Sequence, residues 1–116
     1  MKRVFLIAPI PRFDTQSASA FGKVEYLFDD IYAVNALSGQ AAMDQIIAAL
    51  DAKSFDPTSD MIALTGPQAL LVMLSLAASE RARDGAIQAL IFDARSGGTY
   101  RHRVLTPYLP DEQRTA

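Results

Sequence analysis

Three short apolar runs recur along the chain, at positions 4–8, 61–64 and 86–92, and turn-forming residues close each of them. Val4, Phe5, Leu6, Ile7 and Ala8 stop at Pro9 and Pro11. Met61, Ile62, Ala63 and Leu64 stop at Thr65, Gly66 and Pro67. Runs of this length, bounded by proline and glycine, read as buried strands. A further strand at 24–28 is delimited by Gly22 before it and by Asp29 and Asp30 after it. Elsewhere the period changes from two to 3.6. Met43, Ile46, Ile47 and Leu50 recur at i, i+3, i+4 and i+7, which predicts a helix over about 39–53 with one core face and Ser38 as its cap. A shorter helix, capped by Asp14 or Thr15, is expected to reach Ala20.

The stretch 60–93 organises the rest. After the strand at 61–64, Pro67 suits the first position of a helix, where its missing N–H costs nothing, and Thr65 or Gly66 can be the N-cap. Positions 69–74 are unbroken hydrocarbon, and Gln68, Ser75 and Ser79 form only a narrow polar stripe, so this helix is expected to be buried on most of its circumference. Arg81 and Arg83 suit the negative end of its dipole, and Gly85 is placed to take the left-handed conformation that closes it. Residues 61–78 carry no charge, yet Gly66, Pro67 and Gln68 interrupt them and the helical part is too short to cross about 30 Å of hydrocarbon. No membrane span is expected. Ser96, Gly97 and Gly98 signal a hairpin that pairs 99–105 antiparallel with 86–92. Residues 31–37 are apolar and aromatic without a periodicity that assigns them a conformation.

The resulting pattern, β-α-β-α-β-α-β-β, calls for a small three-layer α/β fold. Its sheet would be Rossmann-like or flavodoxin-like and mostly parallel, in the order 2-1-3-4-5 that right-handed crossovers favour, with an antiparallel C-terminal edge strand. A single domain over 1–106 with an extended tail, 107–116, is expected. The 116 residues suffice to bury about two-thirds of the unfolded surface, and half of them are apolar, too many for a disordered chain.

Net charge is −2, which argues against a generic polyanion binder, but it is unevenly spread. Up to Asp60 there are five basic and eight acidic residues; from Glu80 onward the six basic residues are all arginine, against five acidic ones. The absence of cysteine excludes disulfides, thiolate metal sites and thiol nucleophiles and fits the host-cell cytoplasm. The basic start followed by an apolar run imitates a secretion signal, but Pro9, Pro11, Arg12 and Asp14 break the pattern.

FDPTSDMIALTGP together with ALIFDARSGGTYRHRVL resembles small bacteriophage-type α/β proteins that share an FDP element, an aspartate, an LTG strand end, a buried helix and a Tyr-Arg hairpin. The likeness covers about half the chain. It implies a phage origin and brings no activity with it. Pro67 stands where that family pattern leads one to expect an acidic or polar residue.

In an open α/β sheet, ligands bind beyond the carboxyl ends of the strands where strand order reverses. Arg12 and Asp14 from one loop and Thr65, Gly66 and Gln68 from another are the candidate residues there, beside a helix N-terminus that favours anions. The first strand-to-helix turn lacks the glycines of a dinucleotide site, although Asp29 or Asp30 lies where a ribose-binding acid would, and no phosphate-loop motif occurs. Aspartates at turns read as solvated residues rather than a metal site, and no cofactor is expected. His102 shares its strand face with Tyr100 and Val104 and reads as partly buried; alone it is no catalytic signature. Arg101 and Arg103 on the opposite face, with Arg95, form a candidate phosphate or nucleic-acid patch, and the same charges protect an edge strand from pairing with another sheet.

Without a legible nucleophile, base or metal set, a non-enzymatic accessory or binding module contacting a nucleotide or nucleic acid is the first expectation. The alternative is a homo-oligomeric structural or interaction protein that uses Ile31, Tyr32, Val34 and Leu37. For the fold itself, Leu71→Asp or Leu74→Asp should prevent folding, because an unpaired buried carboxylate costs several kcal/mol, comparable with the stability of a small domain. Loss of the circular dichroism signal would show it, and near-wild-type melting of both variants would refute the core helix.

Overall fold

The computed structural model describes residues 2–10, 16–93 and 99–106, and the apolar runs become its strands. β1 (Arg3–Leu6), β2 (Lys23–Tyr26), β3 (Met61–Ala63) and β4 (Ile87–Asp93) are parallel, and β5 (Thr99–Leu105) is antiparallel to β4. They lie in the order β2-β1-β3-β4-β5, the expected α/β topology with its antiparallel edge. The register pairs Ile87 with Leu105 and Asp93 with Thr99, so Ile91 and Arg101 share one face while Leu90 and His102 share the other.

Among the described residues three α-helices accompany the sheet: α1 (Ile31–Asn35), α2 (Gly39–Ala52) and α3 (Gln68–Glu80). Strand alternation divides the core in two. Phe5, Ile7, Ile62, Ile87 and Ala89 pack with Ile46 and Leu50 of α2, with Leu70, Leu74, Ala77 and Ala78 of α3, and with Ile31 and Val34 of α1. Val4, Leu6, Met61, Ala63, Leu90 and Tyr100 face the other way, against Ala18 and Phe21. Among the described residues that second side is covered by a 3-10 helix, Gln16–Ala20, where the sequence suggested an ordinary short helix.

Local differences have identifiable causes. Within residues 31–37, Ile31–Asn35 form the short helix α1, because the Asp30 carboxylate accepts from the amides of Tyr32 and Ala33. Ser38 holds the N-cap position of α2 without a side-chain cap bond, and Pro67, not Thr65 or Gly66, occupies that of α3. Helix α3 ends at Glu80, before Gly85. The left-handed Gly85 (φ 76°) instead turns the chain into β4, and its carbonyl accepts from the Ser79 hydroxyl at 2.6 Å. Arg81 does serve the end of α3 as expected: it donates to the Ala77 carbonyl and reaches Ile47 O and Asp51 on α2. The largest departure concerns burial. Leu70 and Leu74 are buried, but Val72 and Leu76 are 59% and 60% exposed and Leu71 is half-buried, so an almost wholly apolar helix is embedded on one side only. Leu74 is therefore the position where an introduced carboxylate meets the core. No helix among the described residues is long and apolar enough to cross a membrane.

One ionic cluster clamps these elements together. Asp60, 1% exposed at the start of β3, takes a bidentate contact from Arg3 of β1, with Nε–Oδ1 3.1 Å and Nη2–Oδ2 2.7 Å. The same guanidinium donates to the carbonyls of Lys53 (2.8 Å) and Ser54 (3.0 Å) just beyond α2, and lies 4.8 Å from the centroid of the Phe5 ring. Ser54 is left-handed (φ 53°) without being glycine. The turn at 56–60 then aims Asp60 inward: the Asp56 carbonyl accepts from the Asp60 amide (2.7 Å), and the Asp60 carboxylate accepts from the Asp56 amide (2.8 Å). The Thr58 hydroxyl and amide both donate to the Asp56 carboxylate and hold its pKa below the ordinary value. The bond to Asp60 holds the Arg3 pKa above its usual value.

Removing one partner of such a pair costs more than the pair is worth, because a buried charge is left alone. Arg3→Met should thus destabilise the protein by about 3 kcal/mol, the lower end of the range for buried pairs, since Arg3 remains partly solvated. Asp60→Asn should cost less, because it removes the buried charge and leaves Arg3 its carbonyl partners. Urea melts of the two variants check the order, and a reversed order would show that Asp60 is not the buried member that matters.

Candidate functional site

Where strand order reverses, the carboxyl ends of β1 and β3 open into a cleft of about 450 Å³ lined by Ile10, Ile31, Tyr32, Asn35, Thr65, Gly66 and Pro67. A shallower extension of about 320 Å³ runs past Pro9, Asp29 and Asp30. Each wall has a local origin. Capping by Asp30 starts α1, and burial of Ile31 and Val34 leaves Tyr32 on the outer side, 70% exposed. On the opposite wall Gly66 has φ 140°, a conformation that side chains rarely adopt, and it redirects the chain from β3 into α3. Pro67 at the N-cap contributes a carbonyl that accepts the Leu71 amide at 3.1 Å, and no side chain caps the helix. The first-turn amides of α3 consequently lack a side-chain acceptor at the N-cap.

The candidate residues divide. Gly66 and Thr65 line the cleft, but the Thr65 hydroxyl is buried and hydrogen-bonded to the Tyr100 hydroxyl at 2.8 Å. Gln68 is exposed on the first turn of α3, outside the lining residues. Arg12 and Asp14 lie outside the described residues, as do Arg95 and the expected hairpin residues 96–98 and the tail 107–116. Arg101 and Arg103 share the face of β5 that also carries Leu105. Arg101 is ion-paired with Asp93 at 3.1 Å, and Arg103 donates to the His102 carbonyl at 2.8 Å. His102 is exposed, not partly buried, with its Nε2 3.1 Å from the Gln88 side-chain oxygen, on the edge strand of the sheet. Among the described residues no cluster of three or more His, Asp or Glu is placed to hold a metal ion. The expected oligomer surface at 31–37 is reduced to Tyr32 and Leu37, because Ile31 and Val34 are buried in the core.

A comparison with protein families matches residues 3–107 to the family described as phage Pam3 gp32-like protein. The chain belongs to that family. The phage Pam3 gp32-like assignment takes in all five strands and all three helices, so the phage-type resemblance of the FDPTSD and Tyr-Arg segments extends to nearly the whole chain. The family's description names no activity. No curated protein and no solved structure matches.

In the sequence Tyr32 reads as part of an oligomer surface and not as a cleft residue, and Asn35 and the Thr65–Tyr100 bond escape the sequence reading. Asp30 followed by an apolar segment was the available signal for the first two, since it is a helix cap. Nothing in the sequence pairs residues 65 and 100, which meet only through the sheet. Tyr100→Phe and Thr65→Val should each lower stability by about 1–2 kcal/mol, because each leaves a buried hydroxyl with one partner fewer. In a double-mutant cycle measured by chemical denaturation the double variant should lose less than the sum; strict additivity would mean that the two hydroxyls do not interact.

Proposed function

We propose that this phage-family chain is a non-enzymatic accessory module that binds a nucleotide in the cleft at the carboxyl ends of β1 and β3. The observation that carries this reading is the exposed Tyr32 ring beside the Asn35 amide at the mouth of that cleft. An aromatic face accepts any base by stacking, and a neighbouring amide supplies one donor and one acceptor edge to a base edge. Gly66 presents backbone without a side chain, and the N-terminus of α3, uncapped by any side chain, offers amides on the same side of the cleft, where a phosphate would be favoured. A cleft of about 450 Å³ falls within the size range of small-ligand sites. Asp29, exposed in the adjoining extension, is positioned for a ribose hydroxyl.

Arg101 and Arg103 support a nucleic-acid contact less well, since Arg101 is already paired with Asp93.

Calorimetric titration with the four ribonucleoside monophosphates and their nucleosides tests the proposal. The expected result is saturable binding of at least one base, weakened about 5- to 150-fold by Tyr32→Ala, the effect of losing one stacked base. No binding at millimolar ligand, or binding unchanged in Tyr32→Ala, would overturn it.

A further inference from the structure

Helices α2 and α3 cover only part of their side of the sheet. Five residues separate β4 from β5, too few for a crossover helix, and the face formed by this hairpin beyond α3 holds Ile91 (40% exposed) and Leu105 (37% exposed) beside Arg101 and Arg103. The flank of α3 next to it is apolar as well: Val72 and Leu76, one turn apart, are the helix's most exposed large side chains, and Leu76, Ser75, Ser79, Ile87 and Leu105 line a groove of about 200 Å³ between helix and hairpin. Contiguous apolar surface of this kind marks an interaction site.

Two observations identify what covers it. The exposed stripe Gln68, Val72, Leu76, Glu80 runs along α3 at helical spacing and ends in an acid at the helix C-terminus, where the dipole disfavours a carboxylate. Among the described residues Glu80 has no ion-pair partner. The open hairpin face carries the complementary charge in Arg103, whose guanidinium bonds only the carbonyl of its own neighbour His102. Each chain thus displays both an apolar helix stripe ending in an anion and an apolar sheet face rimmed by a cation, which is what a self-complementary two-fold contact requires. Edge-to-edge pairing of β5 is the poorer alternative. A two-fold centred on His102 sets Arg101 against Arg103, and one centred on Arg101 or Arg103 sets that arginine against its own copy.

We propose that the chain forms a two-fold dimer in which the α3 stripe of each copy lies in the open β4–β5 face of the other, burying Val72, Leu76, Ile91 and Leu105 and bringing Glu80 to Arg103 of the second copy. This surface is separate from the Tyr32 cleft and does not depend on its occupancy.

Sedimentation equilibrium of the full chain over a wide concentration range tests it. Wild type should be dimeric at the upper end, and Leu76→Glu should be monomeric, with a circular dichroism melt matching that of wild type at concentrations low enough for wild type to be monomeric, because that side chain points outward in the monomer. Glu80→Arg and Arg103→Glu should each weaken the dimer about tenfold or more by placing like charges together. The two changes combined in one chain should restore it. A wild-type monomer at every concentration, a dimer indifferent to Leu76→Glu, or a charge swap that fails to recover association would each overturn the proposal.

Discussion

The guanidinium of Arg3 ties the exit of α2 to the amino end of the ladder between β1 and β3. Its contacts reach a carboxylate 57 positions away, two carbonyls just past the end of α2, and the face of Phe5. Phe5 in turn meets Phe55 edge-on, at 5.5 Å between ring centroids. The start of β1, the exit of α2 and the entry of β3 are thus fixed with respect to one another at the amino end of the sheet. The cost of burying Asp60 there is offset because its carboxylate accepts from both Arg3 and the Asp56 amide. With this end pinned, the opposite ends of β1 and β3 are set apart by the turns that follow them, and that separation is the cleft.

Fold class and topology were legible because they follow from local rules: short apolar runs between turn residues make strands, and a period of 3.6 makes helices. The misreadings share one cause. Asp60 reads as a solvated turn residue until Arg3 is known to be beside it, and Arg3 reads as part of a basic start until Asp60 is. Neither sequence neighbourhood contains the other. Val72 and Leu76 read as core because the stretch around them is apolar, whereas their exposure depends on what flanks α3 over β4–β5, a property of the sheet and not of the helix. Residues 31–37 gave no period because a five-residue helix is too short to display one; its single signal was the cap, Asp30.

Position, more than composition, separates the two surfaces that remain available. The Tyr32 cleft lies at the carboxyl ends of the central strands, where backbone turns converge and small ligands are usually held. The apolar flank of α3 lies toward the sheet edge, where a broad, shallow face suits another protein surface. The hydrogen bond between the Thr65 and Tyr100 hydroxyls ties the turn at the cleft to the edge strand.

Joining β4 to β5 by a hairpin also shapes how the chain can assemble itself. Partners in that hairpin begin six positions apart, at Asp93 and Thr99, whereas the clasp between Arg3 and Asp60 closes a segment of 57. By the logarithmic cost of loop closure the longer contact is dearer by about 2 kcal/mol before any interaction compensates it. The ladder between β1 and β2 joins residues 20 apart and that between β3 and β4 residues 27 apart, so each half of the sheet can gather around contacts of shorter range than the one that joins β1 to β3. The charged clasp of Arg3 and Asp60 lies on that seam and works as a latch between the two halves.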